Sequence, residues 1–235
     1  MGKKELREAR WRALQEAGAA RFPGTKGRIP NFVGAEKAAE RLAGTELFRK
    51  ARTVKCNPDS PQRPVRHAAL KAGKTVIMAV PKLAERACFW RLDPAVLDDL
   101  WKASSIKGAS AMAEQVREDA VGTIDLIVTG CVAVAPDGGR LGKGGGYSDL
   151  EYAVLRELGL VDADTPIVTT VHSSQVLAVG AIPMADHDIS LDGFATESEL
   201  VRCERAYERP EGVDRDALPG EKLEAIPVLA DRLRD

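Results

Sequence analysis

A three-layer α/β/α fold with a mostly parallel sheet is what the sequence predicts. Short apolar runs alternate with amphipathic stretches along 235 residues, and the runs are apolar at consecutive positions rather than at every second one. Strands of that kind need cover on both faces, which helices on either side of a parallel sheet supply. A hydrophobic content of 44% over this length can bury a sizeable core. The chain is read as one domain over 1–235, with a proline-punctuated, charged tail at 208–235 that can fray.

The first element is an amphipathic helix from Lys3 to Ala19, where Leu6, Ala9, Ala13, Leu14 and Ala17 recur at helical spacing. Arg21 to Gly34 interrupts it with Phe22-Pro23-Gly24 and Ile29-Pro30-Asn31-Phe32, turn residues interleaved with aromatics, which predict an ordered connection. A helix over Ala35 to Leu42 follows, then a strand at Thr53 to Cys56, a helix from Pro61 to Ala72 and a strand at Thr75 to Val80. Pro94 to Lys102 and Ala111 to Asp119 read as helices and Ile124 to Val128 as a strand. Leu150 to Leu158 reads as a helix, Thr165 to Val171 as a strand, and Val228 to Leu233 as a last helix.

Charge excludes some classes of function. With 34 basic and 35 acidic residues the net charge is −1, so the totals predict neither nucleic-acid binding nor attraction to an anionic surface. Cys56, Cys88, Cys131 and Cys203 form no CxxC pair, which argues for reduced structural thiols over a zinc ribbon or redox motif. The first residues lack the apolar region of a secretory signal and no run is long enough to span a bilayer, so the expectation is a cytoplasmic protein with no membrane partner. Oligomeric state is not encoded in any pattern of this kind.

The chemistry concentrates between Gly138 and Asp149, where six glycines, Arg140, Lys143, Tyr147 and Asp149 lie between a predicted strand and a predicted helix. A glycine-rich turn entering a helix offers backbone N–H groups and the positive end of the helix dipole, which together attract phosphate. The spacing is neither that of a P-loop, because Gly145 stands where lysine is needed, nor that of a dinucleotide fingerprint, because Tyr147 stands where glycine is needed. A plain surface turn would not need this density of glycine beside two cations.

The run Gly139-Arg140-Leu141-Gly142-Lys143-Gly144-Gly145-Gly146-Tyr147-Ser148-Asp149 resembles the signature of the 5-formyltetrahydrofolate cyclo-ligase family, roughly G-x-RLG-x-GGGYYDR. Lys3-Lys4-Glu5-Leu6-Arg7 is similar to the family's N-terminal KxxLR. The order Gln175, Pro183, His187-Asp188, Asp192, Thr196-Glu197 is similar to its Q…P…HD…D…TE stretch. Gly27 to Phe32 and Val80-Pro81 look closest to the methenyltetrahydrofolate synthetase domain-containing branch. The resemblance implies an α/β/α fold and an ATP- and Mg²⁺-dependent closure of 5-formyltetrahydrofolate to 5,10-methenyltetrahydrofolate, with a reduced folate or related heterocycle as small-molecule substrate.

By that resemblance, Arg140 and Lys143 are the catalytic cations, and Lys3, Arg7, Arg140, Leu141, Gly142, Lys143, Gly144, Gly145, Gly146 and Tyr147 hold the nucleotide. Tyr147 and Gln175 touch substrate, and Asp149 holds the metal. Two positions depart from the family pattern: Ser148 replaces a second tyrosine that helps line the folate pocket, and Leu150 replaces an arginine. Losing an aromatic wall weakens stacking on a flat pterin. The departures favour an alternative reading, a non-cyclising paralogue that binds nucleotide and a pterin or thiamine-related heterocycle in a binding or regulatory role.

Other candidates carry less. His187-Asp188 is read as structural or supporting rather than as a metal pair, since only His67 and His172 remain as further imidazoles. His172-Ser173-Ser174 lacks a GxSxG elbow. Asp192 suits a cap or turn before Gly193. Trp11, Trp90 and Trp101 are expected in the core or an interface, with Trp90 the one nearest a pocket. Arg63, Arg66 and Lys71 are expected to form a solvated basic helix face around His67.

Overall fold

The computed structural model describes residues 1–215 and 226–232. Eight of the described strands form one sheet in the order β10-β9-β8-β5-β1-β2-β3-β4. They are β1 (Thr53–Cys56), β2 (Thr75–Ala79), β3 (Phe89–Leu92), β4 (Glu114–Val116), β5 (Leu126–Val128), β8 (Ile167–Thr170), β9 (Gly193–Ala195) and β10 (Leu200–Arg202). β9, β8, β5, β1 and β2 run parallel, while β3, β4 and β10 add antiparallel margins. The mostly parallel α/β sheet expected from the sequence is present.

Period-two alternation distributes the strands between two cores. Val54, Cys56, Val76, Met78, Leu126 and Val128 pack on one face, and Ile77, Ile127 and Ile167 on the other. The first face is covered by α2 (Ala35–Ala43), α4 (Arg63–Lys71), α5 (Leu100–Ala103) and α6 (Ile106–Met112), with Phe48 of the short α3 (Glu46–Lys50). α2 buries Ala35, Ala38, Ala39 and Leu42, the spacing of one helix face. The second face is covered by α7 (Tyr147–Glu157) and by Val228 of α8 (Pro227–Arg232). Leu233, the end expected for that last helix, lies outside the described residues. α1 (Lys3–Glu16) buries Leu6 and Leu14 against smaller clusters.

The sequence expectations err between 94 and 119. Asp93 Oδ1 accepts from Ala95 N–H and makes a turn where a helix was expected. The true helix starts belong to Asp99 and Ser105, whose side chains cap α5 and α6. Ala111 to Asp119 is helical only to Met112, because Glu114–Val116 pairs with β3 and tertiary pairing overrides helix propensity. β3 itself was not anticipated, and it holds Phe89 and Trp90 in the two cores rather than at a pocket. Arg66 is the largest correction. It is 1% exposed, donates to the carbonyls of Asn57, Pro58, Asp59 and Ser104, and is no part of a solvated face. Trp101, expected in the core or an interface, stands at the surface under the Arg63 guanidinium, 4.0 Å from the ring centre. All four cysteines are free and buried, and burial pushes the Cys56, Cys131 and Cys203 thiols up to about 11 and Cys88 to about 12.

Candidate functional site

β1 is followed in sequence through α4 by β2 on one side, whereas β5, on its other side, begins the half that continues to β8 and β9. Strand order therefore reverses at β1 and β5, and in open parallel sheets ligands bind beyond the carboxyl ends of the strands at such a point. A cavity of about 820 Å³ lies there, lined by Asn57 to Ser60 after β1, Ala79 to Pro81 at the end of β2, and the whole of Arg140 to Asp149.

The glycine-rich segment is the exit of a hairpin. β6 (Ala133–Val134) pairs with β7 (Arg140–Leu141), and helical pairing begins where Leu150 N–H donates to Gly146 C=O. Residues 142–146 join the two and lead into the N-terminus of α7, where helix geometry turns backbone N–H groups outward. α7 starts at Tyr147 rather than at Leu150, so the expected phosphate turn and helix start are one unit. Gly146 caps the helix with φ +67°, and Gly144 has φ +106° with the Arg7 guanidinium carbon 3.3 Å from where a Cβ would stand. Side chains other than glycine are strained in both places.

Cations converge on this turn. Arg140 is 3% exposed, and its Nη2 donates to Asp149 Oδ1 at 3.0 Å. Its Nε and Nη1 are buried without a hydrogen-bond partner. Burial works to lower the Arg140 pKa, but Asp149, supported by Cys131 and Asp188, outweighs it and holds the guanidinium above its usual value. Arg7 donates from Nε to Gly142 C=O at 2.7 Å, and burial, joined by the Arg140 charge, lowers its pKa. Lys3 is ion-paired with Asp188, and Lys143, half exposed, stands 3.6 Å from Asp59. Thus Lys3 and Arg7 of α1, Leu141, Gly142, Lys143, Gly144, Gly145, Gly146, Tyr147 and Asp149 all line the same cavity as Arg140.

Asp149 Oδ1 also accepts from Ile189 N–H at 3.1 Å, so a cation would be met by Oδ2. Among the described residues no group of three His, Cys, Asp or Glu side chains could hold a metal by itself. This suits Mg²⁺ shared between a single carboxylate, nucleotide phosphates and water, and does not suit a cage made by protein alone.

Gln175 does not join the others. It is 1% exposed and outside the cavity lining. Its Nε2 donates to the carbonyls of Cys131 and Val132, and its Oε1 accepts from His172 N–H. The side chain expected to touch substrate is consumed in holding the segment that leads into the hairpin. Asp192, expected as a turn residue, links Ile167 N–H to Arg209. His187 is exposed at the cavity rim, 4.0 Å from Asp188.

The sequence reading missed Lys55, Asn57, Asp59 and Glu151. Lys55 follows Val54 and precedes Cys56, both on the opposite face, and so meets α7, where it pairs with Glu151 at 2.7 Å. The available signal was a lone charge in each of two elements expected to be apolar there.

The sequence profile of the 5-formyltetrahydrofolate cyclo-ligase family matches residues 2–197. The chain is 36% identical over 235 residues to the methenyltetrahydrofolate synthase domain-containing protein of Bos taurus, covering 97% of this chain and 61% of that protein. The Mus musculus counterpart is 37% identical over 233 residues, with 97% and 62% covered. The chain therefore spans about three-fifths of the length of these relatives. The solution structure of Aquifex aeolicus 5,10-methenyltetrahydrofolate synthetase shares the fold, with a TM-score of 0.55 at 24% identity over 92% of this chain and 99% of that one. No described helix is long and apolar enough to cross a membrane.

Proposed function

The chain belongs to the 5-formyltetrahydrofolate cyclo-ligase family, and from that premise we propose that it closes a 5-formyl-reduced folate to the 5,10-methenyl form with ATP and Mg²⁺. The observation that carries the reading is Arg140: a nearly fully buried guanidinium at a cavity wall, with Nε and Nη1 unpartnered, beside a glycine turn. Buried donors without acceptors are costly, and a polyphosphate supplies acceptors of the right charge.

In the reaction, the formyl oxygen bonds to the γ-phosphorus as the bond to the bridging oxygen breaks and ADP leaves. N10 then attacks the activated formyl carbon, gives up its proton, and phosphate departs. Bound Mg²⁺, held by Asp149, would neutralise phosphate charge. The chain's own contribution is electrostatic. Arg140, Lys143, Lys3 and Arg7 offset charge on the transferring group, amides of 142–146 orient it, and Tyr147 borders the ring.

A second reading rests on Ser148, which is hydrogen-bonded to Asn57 where the family motif has a tyrosine. It is a paralogue that binds nucleotide and a pterin or thiamine-related heterocycle without cyclising. Appearance of the methenyl chromophore from 5-formyltetrahydrofolate, dependent on both ATP and Mg²⁺, separates the two. Thermal stabilisation by ATP with no product would leave the second reading, and neither signal would reject both.

A further inference from the structure

Ser148 belongs to a polar chain that ties β1 to α7. Its Oγ accepts from Asn57 Nδ2 at 2.8 Å, Asn57 Oδ1 accepts from Lys55 Nζ at 2.6 Å, and Lys55 Nζ pairs with Glu151 Oε2 at 2.7 Å. The Lys55 and Glu151 side chains are 3% and 6% exposed. Asn57, Ser148 and Glu151 all line the cavity. Glu151 Oε1 is buried and has no hydrogen-bond partner.

A buried ion pair is weak help to stability, and apolar residues would fill the seam between β1 and α7 without the desolvation of two charges. Leaving one carboxylate oxygen unpaired adds to that cost. Both penalties become intelligible if a ligand completes the set. We propose that Glu151 is a specificity-determining residue of the cavity. Its Oε1 accepts an N–H from the bound heterocycle and selects a ring carrying an exocyclic amine beside a ring N–H, as a 2-amino-4-oxopyrimidine does. Lys55 and Asn57 are positioning residues: Lys55 fixes Oε2 and so orients Oε1, and Asn57 fixes Ser148. Recognition at this wall is by hydrogen bonding, where a second tyrosine would have given stacking. The inference rests on the reading that the cavity takes a folate-like heterocycle, and it names the edge that is read.

The test is titration of the whole protein with pterin and with lumazine, which carries a carbonyl in place of the 2-amino group, while ATP-induced thermal stabilisation is followed separately. The wild type is expected to bind pterin about tenfold or more tighter than lumazine, since a site built around a ligand N–H rejects an analogue lacking it. In Lys55→Met/Glu151→Met the preference should fall to within about twofold, with the ATP shift unchanged. In Glu151→Gln, whose amide can donate to a carbonyl, the preference should move toward lumazine. If the double variant does not fold, Glu151→Gln decides alone. Equal affinities in the wild type, no pterin binding, or a wild-type preference retained in either variant would overturn the proposal. Failure of ATP to stabilise the wild type, with the pterin preference intact, would instead remove the cyclo-ligase reading.

Discussion

Arg140 with Asp149 and Lys55 with Glu151 both pair a buried cation with a carboxylate at the start of α7, two residues apart on the helix, yet they leave different atoms over. In the first pair the spare atoms are guanidinium donors; in the second the spare atom is a carboxylate oxygen. One helix terminus thus borders an acceptor-seeking wall and a donor-seeking wall of the same cavity. The contrast teaches that pairing within the protein need not saturate a charged group, and that the atom left unpaired, more than the sign of the residue, indicates what the ligand brings.

The largest expected effect separates the roles of charge and packing at the second pair. Glu151→Ala strands Lys55 and should cost about 3–5 kcal/mol of stability in urea unfolding, whereas Lys55→Met/Glu151→Met should stay within about 1 kcal/mol of wild type. Equal losses in the two would show that the seam needs volume rather than neutrality. At the first pair, Arg140→Ala should weaken ATP binding by about 1.5–3 kcal/mol in isothermal titration; unchanged affinity would place the phosphates elsewhere. Gly144→Ala, strained by its φ of +106° and by Arg7, should lower ATP affinity by about 1–2 kcal/mol. An alanine variant that binds as wild type would mean the turn is free to rearrange. The smallest effect belongs to Lys143→Ala. Half exposed and screened, it should cost about 1 kcal/mol or less at low salt and fade toward molar salt, and a loss insensitive to salt would contradict its solvated position.

The two walls were unequally legible. The glycine turn was visible because the constraint is local: positive φ and close approach demand glycine at Gly144 and Gly146 whatever surrounds them, and Arg140 and Lys143 lie in the same run. The Lys55 to Glu151 wall joins residues 96 positions apart, and Lys55 between Val54 and Cys56 gives no hint of its partner. The same limit explains the fold. β2, β5 and β8 announced themselves by consecutive apolar positions, and β1 by a short β-type run that Lys55 interrupts. β3 and β4 did not, because Arg91 and Glu114 break the pattern and face each other across an antiparallel margin. Gln175 shows the converse error, a motif residue whose position matched while its side chain serves the backbone.

β1 has a consequence for how the protein is made. Its neighbours are β2, complete by residue 79, and β5, whose Leu126, Ile127 and Val128 pair with Val54, Lys55 and Cys56. A nascent chain that stops short of Leu126 therefore has one bare flank on its central strand, with its apolar side chains and open backbone groups available to other chains. Ribosomal release of β5 is the event that seals it.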